Sequence, residues 1–164
     1  MLSYLAPLLP SSQPEPTHVR RRHCPFEMVP AMEDVQLPRT HLTLRTRLGH
    51  GTFGVVYSAT NGKTLTSCAV KLIHKKASHQ NEVKLHAIVQ SHPNIVSLYH
   101  SYEMDQLVAM EMKLCGGGSL YDYEFTMSPY WRNTAISRDH SLQLVNAVMF
   151  CHSKGIYHCD IKPQ

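Results

Sequence analysis

Three glycines set between two extended runs constrain this chain more than any other feature. Residues 43–48 read as a strand that enters Gly49-His50-Gly51-Thr52-Phe53-Gly54, and Val55-Val56-Tyr57 then continues extended. The GxGxxG spacing alone is a weak signal. In a dinucleotide-binding fold such glycines join a strand to a helix, whose first amides hold a pyrophosphate. Here they join a strand to a strand, so that reading fails. A Walker loop fails as well, because no Gly-Lys-Ser/Thr ending follows. Two readings remain: an ordinary glycine-rich hairpin, or a hairpin folded over nucleotide phosphates, where glycine lets the backbone approach phosphate oxygens closely. The second requires a lysine on the next strand, and Ala69-Val70-Lys71 supplies one.

The remaining segments alternate in character along the chain. Asn61-Gly62 predicts a tight turn before a strand over 68–73. Residues 79–90 place Val83, Leu85, His86, Ile88 and Val89 in a broadly helical arrangement, which Ser91-His92-Pro93 ends. Two apolar runs of strand length follow, over 95–99 and 107–112. Gly116-Gly117-Gly118 breaks the pattern, and 119–123 predicts the start of a short helix. A longer helix is predicted over 137–152, with Leu142, Val145, Val148, Met149 and His152 on one face and Gly155 closing it.

Seven of the ten prolines (Pro7, Pro10, Pro14, Pro16, Pro25, Pro30 and Pro38) lie in the first 38 residues. Proline fixes φ and removes a backbone donor, so residues 1–40 are expected to form a mostly disordered tail, with one domain over 41–164. A proline-rich ligand for a partner domain is the alternative. The chain is 43% hydrophobic and 17% charged, ordinary for a protein with a packed core. Much of its +4 charge sits in Arg20-Arg21-Arg22, read as solvated charge rather than a nuclear signal. No basic stripe with interleaved aromatics is present, so nucleic acid is not an expected partner. The five cysteines are odd in number and scattered, which argues against a disulfide framework and for a reducing compartment. The opening MLSYLAPLLP has no basic flank and is interrupted by Pro7 and Pro10, so neither a signal peptide nor a membrane span is expected. An intracellular location follows, cytoplasmic or nuclear.

LGHGTFGVVYSA, AVK, NEVKLH, HPNIVSLY, LVAMEMKLCGGGSLYDY and HSKGIYHCDIKP occur in this order. Together they resemble the eukaryotic protein kinase family, Ser/Thr type, over roughly residues 42–164. The resemblance implies an α+β fold: a kinase-like N-lobe of antiparallel sheet plus one helix, then a truncated, mostly helical C-lobe. It implies ATP as the nucleotide, with Leu48, Val56 and Ala69 around adenine and Gly49, Gly51 and Gly54 over the phosphates. Lys71 then pairs with the α- and β-phosphates, and Glu82 salt-bridges Lys71. Met110 or Met112 stands at the back of the adenine pocket. Counting back from the glycines favours Met112, although a simple core methionine fits the same fold. The hinge is then Lys113-Leu114-Cys115, using the Lys113 carbonyl and the Cys115 amide. Asp160 corresponds to the aspartate that accepts the substrate hydroxyl proton or orients that hydroxyl, and Lys162 to the lysine that neutralises the transferring phosphate. His158 is structural in the family. A zinc site from Cys151, His152, His158 and Cys159 is the rival use of that segment, but adjacent pairs on a helix end and a loop rarely reach one tetrahedral centre. The other histidines carry no spacing signal and are read as surface residues.

Three departures from the family pattern stand out. Cys159 replaces the arginine that pairs with activation-loop phosphate, so control through that contact is not expected. Glu82 follows Lys71 by eleven positions, which leaves the intervening helix short by roughly two turns. The pair is still expected to form, with Glu82 in the first turn. Finally, the resemblance places the magnesium-holding asparagine and DFG aspartate beyond Gln164, so no residue here is assigned to metal. The apolar face of the 137–152 helix is expected to be exposed. The implied function is transfer of the ATP γ-phosphoryl to a protein Ser or Thr hydroxyl, with no measurable turnover expected of this chain alone. The alternative is an inactive, pseudokinase-like nucleotide-binding module that regulates a partner.

Overall fold

The computed structural model describes residues 34–51, 54–75, 80–121 and 134–163. Most of the predicted tail, all of it before residue 34, therefore lies outside the described residues, as do Thr52, Phe53 and the last two residues, 122 and 123, of the predicted short helix over 119–123. The described residues form six strands: β1 (Val35–Gln36), β2 (Leu42–Gly51), β3 (Gly54–Asn61), β4 (Thr66–His74), β5 (Leu98–Glu103) and β6 (Leu107–Lys113). Among the described residues two longer helices accompany them, α1 (Gln80–Val89) between β4 and β5, and α2 (Thr134–Ser153) after β6. The strands make one sheet in the order β1-β2-β3-β4-β6-β5, with every neighbour antiparallel.

Side chains alternate across a strand, so β4 divides its residues between two cores. Cys68 and Val70 point to a cluster with Leu37, Leu42, Leu44, Tyr57, Ala59 and Ala109. Ile73, on the other side, joins Val96, Val108, Met110 and Met112, against which Val83 of α1 packs. A third cluster joins the helices: Val89 meets Ile95, Ala147, Cys151 and Ile156, with Leu85 and Phe150 at its edge.

Several boundaries differ from the sequence reading, each for a local reason. The folded part begins before residue 41, because Val35 and Gln36 pair with Leu44 and Thr43 and Leu37 is buried. The Asn61-Gly62 turn is not a two-residue turn. Asn61 pairs with Thr66, leaving four residues in the loop, and Leu65 rather than glycine takes the left-handed backbone at φ 56°. The Asn61 side chain explains this, since its Oδ1 accepts the Lys63 and Thr64 amides at 3.0 and 3.3 Å. The strand predicted over 95–99 starts at Leu98 instead. Ile95 and Val96 are diverted into the second and third clusters, and pairing begins where Leu98 meets Met112.

α2 ends as predicted at Gly155, whose φ of 69° suits glycine. The Gly155 amide donates to the His152 carbonyl at 2.9 Å and the Ile156 amide to the Cys151 carbonyl at 3.0 Å, which satisfies two carbonyls of the last turn. The packed face of α2 is not its most apolar one. Ala147 and Cys151 are small enough to let the helix approach Val89, while Leu142, Val145 and Met149 are exposed.

Candidate active site

Two bulges in β2, flanking Arg47, bend the strand before its glycines. The Ser58 hydroxyl fills the resulting gap, accepting the Thr46 amide and donating to the Thr46 carbonyl at 3.1 and 3.2 Å. The three glycines then separate into two kinds. Gly54 is required by the fold: its φ is 133°, and a Cβ there would be driven into the Leu72 carbonyl. At Gly49 and Gly51 a Cβ would meet nothing within 4 Å. Packing within the protein therefore does not account for those two.

The register gathers most of the remaining candidates on one face of the sheet. Gly49 pairs with Val56, Val56 with Lys71, and Lys71 with Met110. One step along, Ala69 pairs with Met112 and Met112 with Leu98. Val56, Ala69 and Met112 are buried, whereas Leu48 is about half exposed at the bulge. Met112 is the last buried residue of β6, and exposed Lys113 leads to half-buried Cys115. Met112 rather than Met110 thus stands where the strand meets the following loop, with Met110 one pair deeper.

Lys71 is 4% exposed and Glu82 8%. Lys71 Nζ donates to Glu82 Oε1 at 2.5 Å, and Glu82 lies in the first turn of α1. The pair forms across the shortened interval. Taking both charges out of water is costly, and only their close approach offsets it.

The second group of candidates lies on the loop after α2. The Asp160 amide donates to His158 Nδ1 at 3.1 Å, so the half-buried His158 ring fixes the backbone that presents Asp160. Burial also pushes His158 below its ordinary pKa. Lys162 Nζ donates to Asp160 Oδ2 at 2.9 Å, and that bond holds the Asp160 carboxyl below the usual carboxylate range. Cys159, between His158 and Asp160, takes a φ of 60° and is exposed. The Tyr121 amide donates to the Pro163 carbonyl at 2.9 Å, which ties this loop to the segment after the glycine triplet. Among the described residues no three His, Cys, Asp or Glu side chains converge to hold a metal ion.

The family pattern of the protein kinase domain matches residues 42–164. The chain belongs to the protein kinase family. It is 36% identical over 124 residues to the negative regulator of sexual conjugation and meiosis of Schizosaccharomyces pombe, covering 71% of this chain and 26% of that protein. To calcium-dependent protein kinase 9 of Arabidopsis thaliana it is 35% identical over 142 residues, covering 82% of this chain and 25% of the relative. CBL-interacting serine/threonine-protein kinase 12 of the same plant is 35% identical over 125 residues, 71% of this chain and 25% of that kinase. The kinase chain described here thus spans only about a quarter of the length of these relatives. Its sheet and α1 are a kinase N-lobe, and α2 with its loop is a short portion of the C-lobe.

Two features of this kinase escaped the sequence reading. His86 is a buried histidine, 5% exposed, not a surface one; its Nε2 lies 2.6 Å from the Val96 carbonyl. Its place on the apolar face of α1 was the available signal. Glu111 is the other. It points into the first cluster, where its Oε1 accepts Asn61 Nδ2 at 2.8 Å and its Oε2 the Tyr102 hydroxyl at 2.9 Å. A carboxylate between Met110 and Met112 gives no sign of that burial, because its partners lie on two other strands.

Proposed function

We propose that this chain carries the nucleotide-holding and hydroxyl-orienting parts of a protein Ser/Thr kinase that moves the γ-phosphoryl of ATP to a protein hydroxyl. The observation that carries the reading is the Lys71–Glu82 pair, set on the same sheet face as the glycine hairpin. A lysine buried this deeply, with its ammonium fixed by one carboxylate, is suited to meet phosphate oxygens at low reorganisation cost. Gly49 and Gly51 support the same reading, since a bound phosphate accounts for glycine where the protein itself does not require it. Leu48, Val56, Ala69 and Met112 offer an apolar slot for adenine, beside the Lys113 carbonyl and Cys115 amide.

Asp160, kept ionised by Lys162, accepts a hydrogen bond from the substrate hydroxyl and orients it for attack. Lys162 places a positive charge beside that point. Magnesium, which the family generally uses to neutralise phosphate charge, is assigned to no residue described here. Scattered thiols favour an intracellular setting.

Thermal denaturation of the 164-residue chain with ATP tests the reading. Saturation at a hundred times Kd should add about 2.7 kcal/mol to stability, and Lys71→Met should abolish the shift. No shift in the unaltered chain would overturn the proposal. Any phosphoryl transfer should vanish in Asp160→Asn. Stabilisation that survives chelation of magnesium, without turnover, would favour a regulatory nucleotide-binding module instead.

A further inference from the structure

Residues 82, 86 and 90 follow one another at four-residue spacing, so they share one stripe of α1 and its last turn. All three are polar, and each bonds a different part of the surrounding N-lobe. Glu82 accepts from Lys71 on β4 at 2.5 Å, His86 Nε2 meets the Val96 carbonyl at 2.6 Å, and Gln90 Oε1 accepts the Leu98 amide of β5 at 3.1 Å. A carbonyl only accepts, so His86 carries its proton on Nε2. Burial holds the ring below its ordinary pKa, which keeps it neutral.

Glu82 depends on such support. It sits in the first turn of a ten-residue helix, where backbone amides lack intrahelical partners and ends fray. Leu85 and Val89, three and seven positions after Glu82, share its side of α1 and pack toward α2, while Val83 packs on the β6 side; His86 adds to these apolar contacts a directional bond to the segment before β5. An apolar residue at 86 would fill the same space without a buried polar ring to satisfy.

We infer that His86 is a positioning residue, whose bond to the Val96 carbonyl fixes the rotation of α1 and so holds Glu82 against Lys71 for phosphate binding. The inference rests on the proposed nucleotide role of that pair. It differs from a packing role in acting through Glu82 alone.

The test compares His86→Leu, His86→Gln, Glu82→Gln and the His86→Leu/Glu82→Gln double variant in the full chain. Two readouts are used: the NMR signal of the Lys71 ammonium without nucleotide, and affinities for ATP and for adenosine. His86→Leu should stay folded, lose the slowly exchanging ammonium signal and weaken ATP binding on the order of tenfold, the worth of one hydrogen bond. Adenosine affinity should be unchanged. His86→Gln, which keeps a donor, should restore both readouts, and His86→Leu should add nothing once Glu82→Gln is present. If His86→Leu does not fold, His86→Met gives the same comparison with a more adaptable side chain. An unchanged ammonium signal, or equal losses of ATP and adenosine affinity, would overturn the inference. If the unaltered chain binds no ATP, the proposed function falls, and the ammonium signal alone still decides the role of His86.

Discussion

Lys71 and Glu82 form an ion pair with almost no access to water, and the two residues are unequal to replace. Glu82→Ala strands an ammonium in a desolvated site, so it should cost about 3–5 kcal/mol in chemical denaturation. The Lys162–Asp160 pair is nearly half exposed, and Lys162→Ala should leave stability almost unchanged. Histidine protonation gives a second expectation at this scale. Burial lowers both His86 and His158, so the unfolded chain takes up protons there first. Their contribution to stability is complete above about pH 6.5 and is lost as pH falls through the depressed folded values. The melting temperature should therefore drop between pH 7 and pH 5, and His86→Leu should reduce that slope. Lys71 and Asp160 were legible because each sits inside an ordered motif. His86 was not, because a hydrogen bond to a backbone carbonyl leaves no mark on the residue ten positions away.

Strands and helices followed the sequence wherever local pattern and tertiary packing agreed. β4, β6 and the Gly155 stop of α2 are such cases. They diverged where a side chain had a better use elsewhere, as when Ile95 and Val96 left the strand pattern to plug two clusters. The β3–β4 loop is the clearest divergence, because Asn61 organises four residues and forces Leu65 into left-handed backbone. Leu65 is 82% exposed and gains no packing in return. Leu65→Gly should raise stability by about 1 kcal/mol, measured by urea denaturation.

Across the whole molecule, the apolar residues divide between those that hold the N-lobe together and those that face outward. Leu142, Val145 and Met149 form an exposed stripe along α2, with Tyr157 and Ile161 exposed on the loop beyond. Met149→Lys should raise solubility at high concentration, read by light scattering, with a melting temperature within a degree or two of the parent. That exposure was legible in the sequence, whereas the contact made by the small residues Ala147 and Cys151 was not, because neither stands out by size in the apolar pattern. The division of β4 between two faces carries a different consequence, for tolerance of change. In a saturation scan of residues 66–74, scored once for cellular abundance and once for capture on immobilised ATP, the two profiles should differ along the strand. Cys68, Val70 and Ile73 should register in abundance, Ala69 chiefly in capture, and Lys71 in both, because its loss strands the buried Glu82 carboxylate.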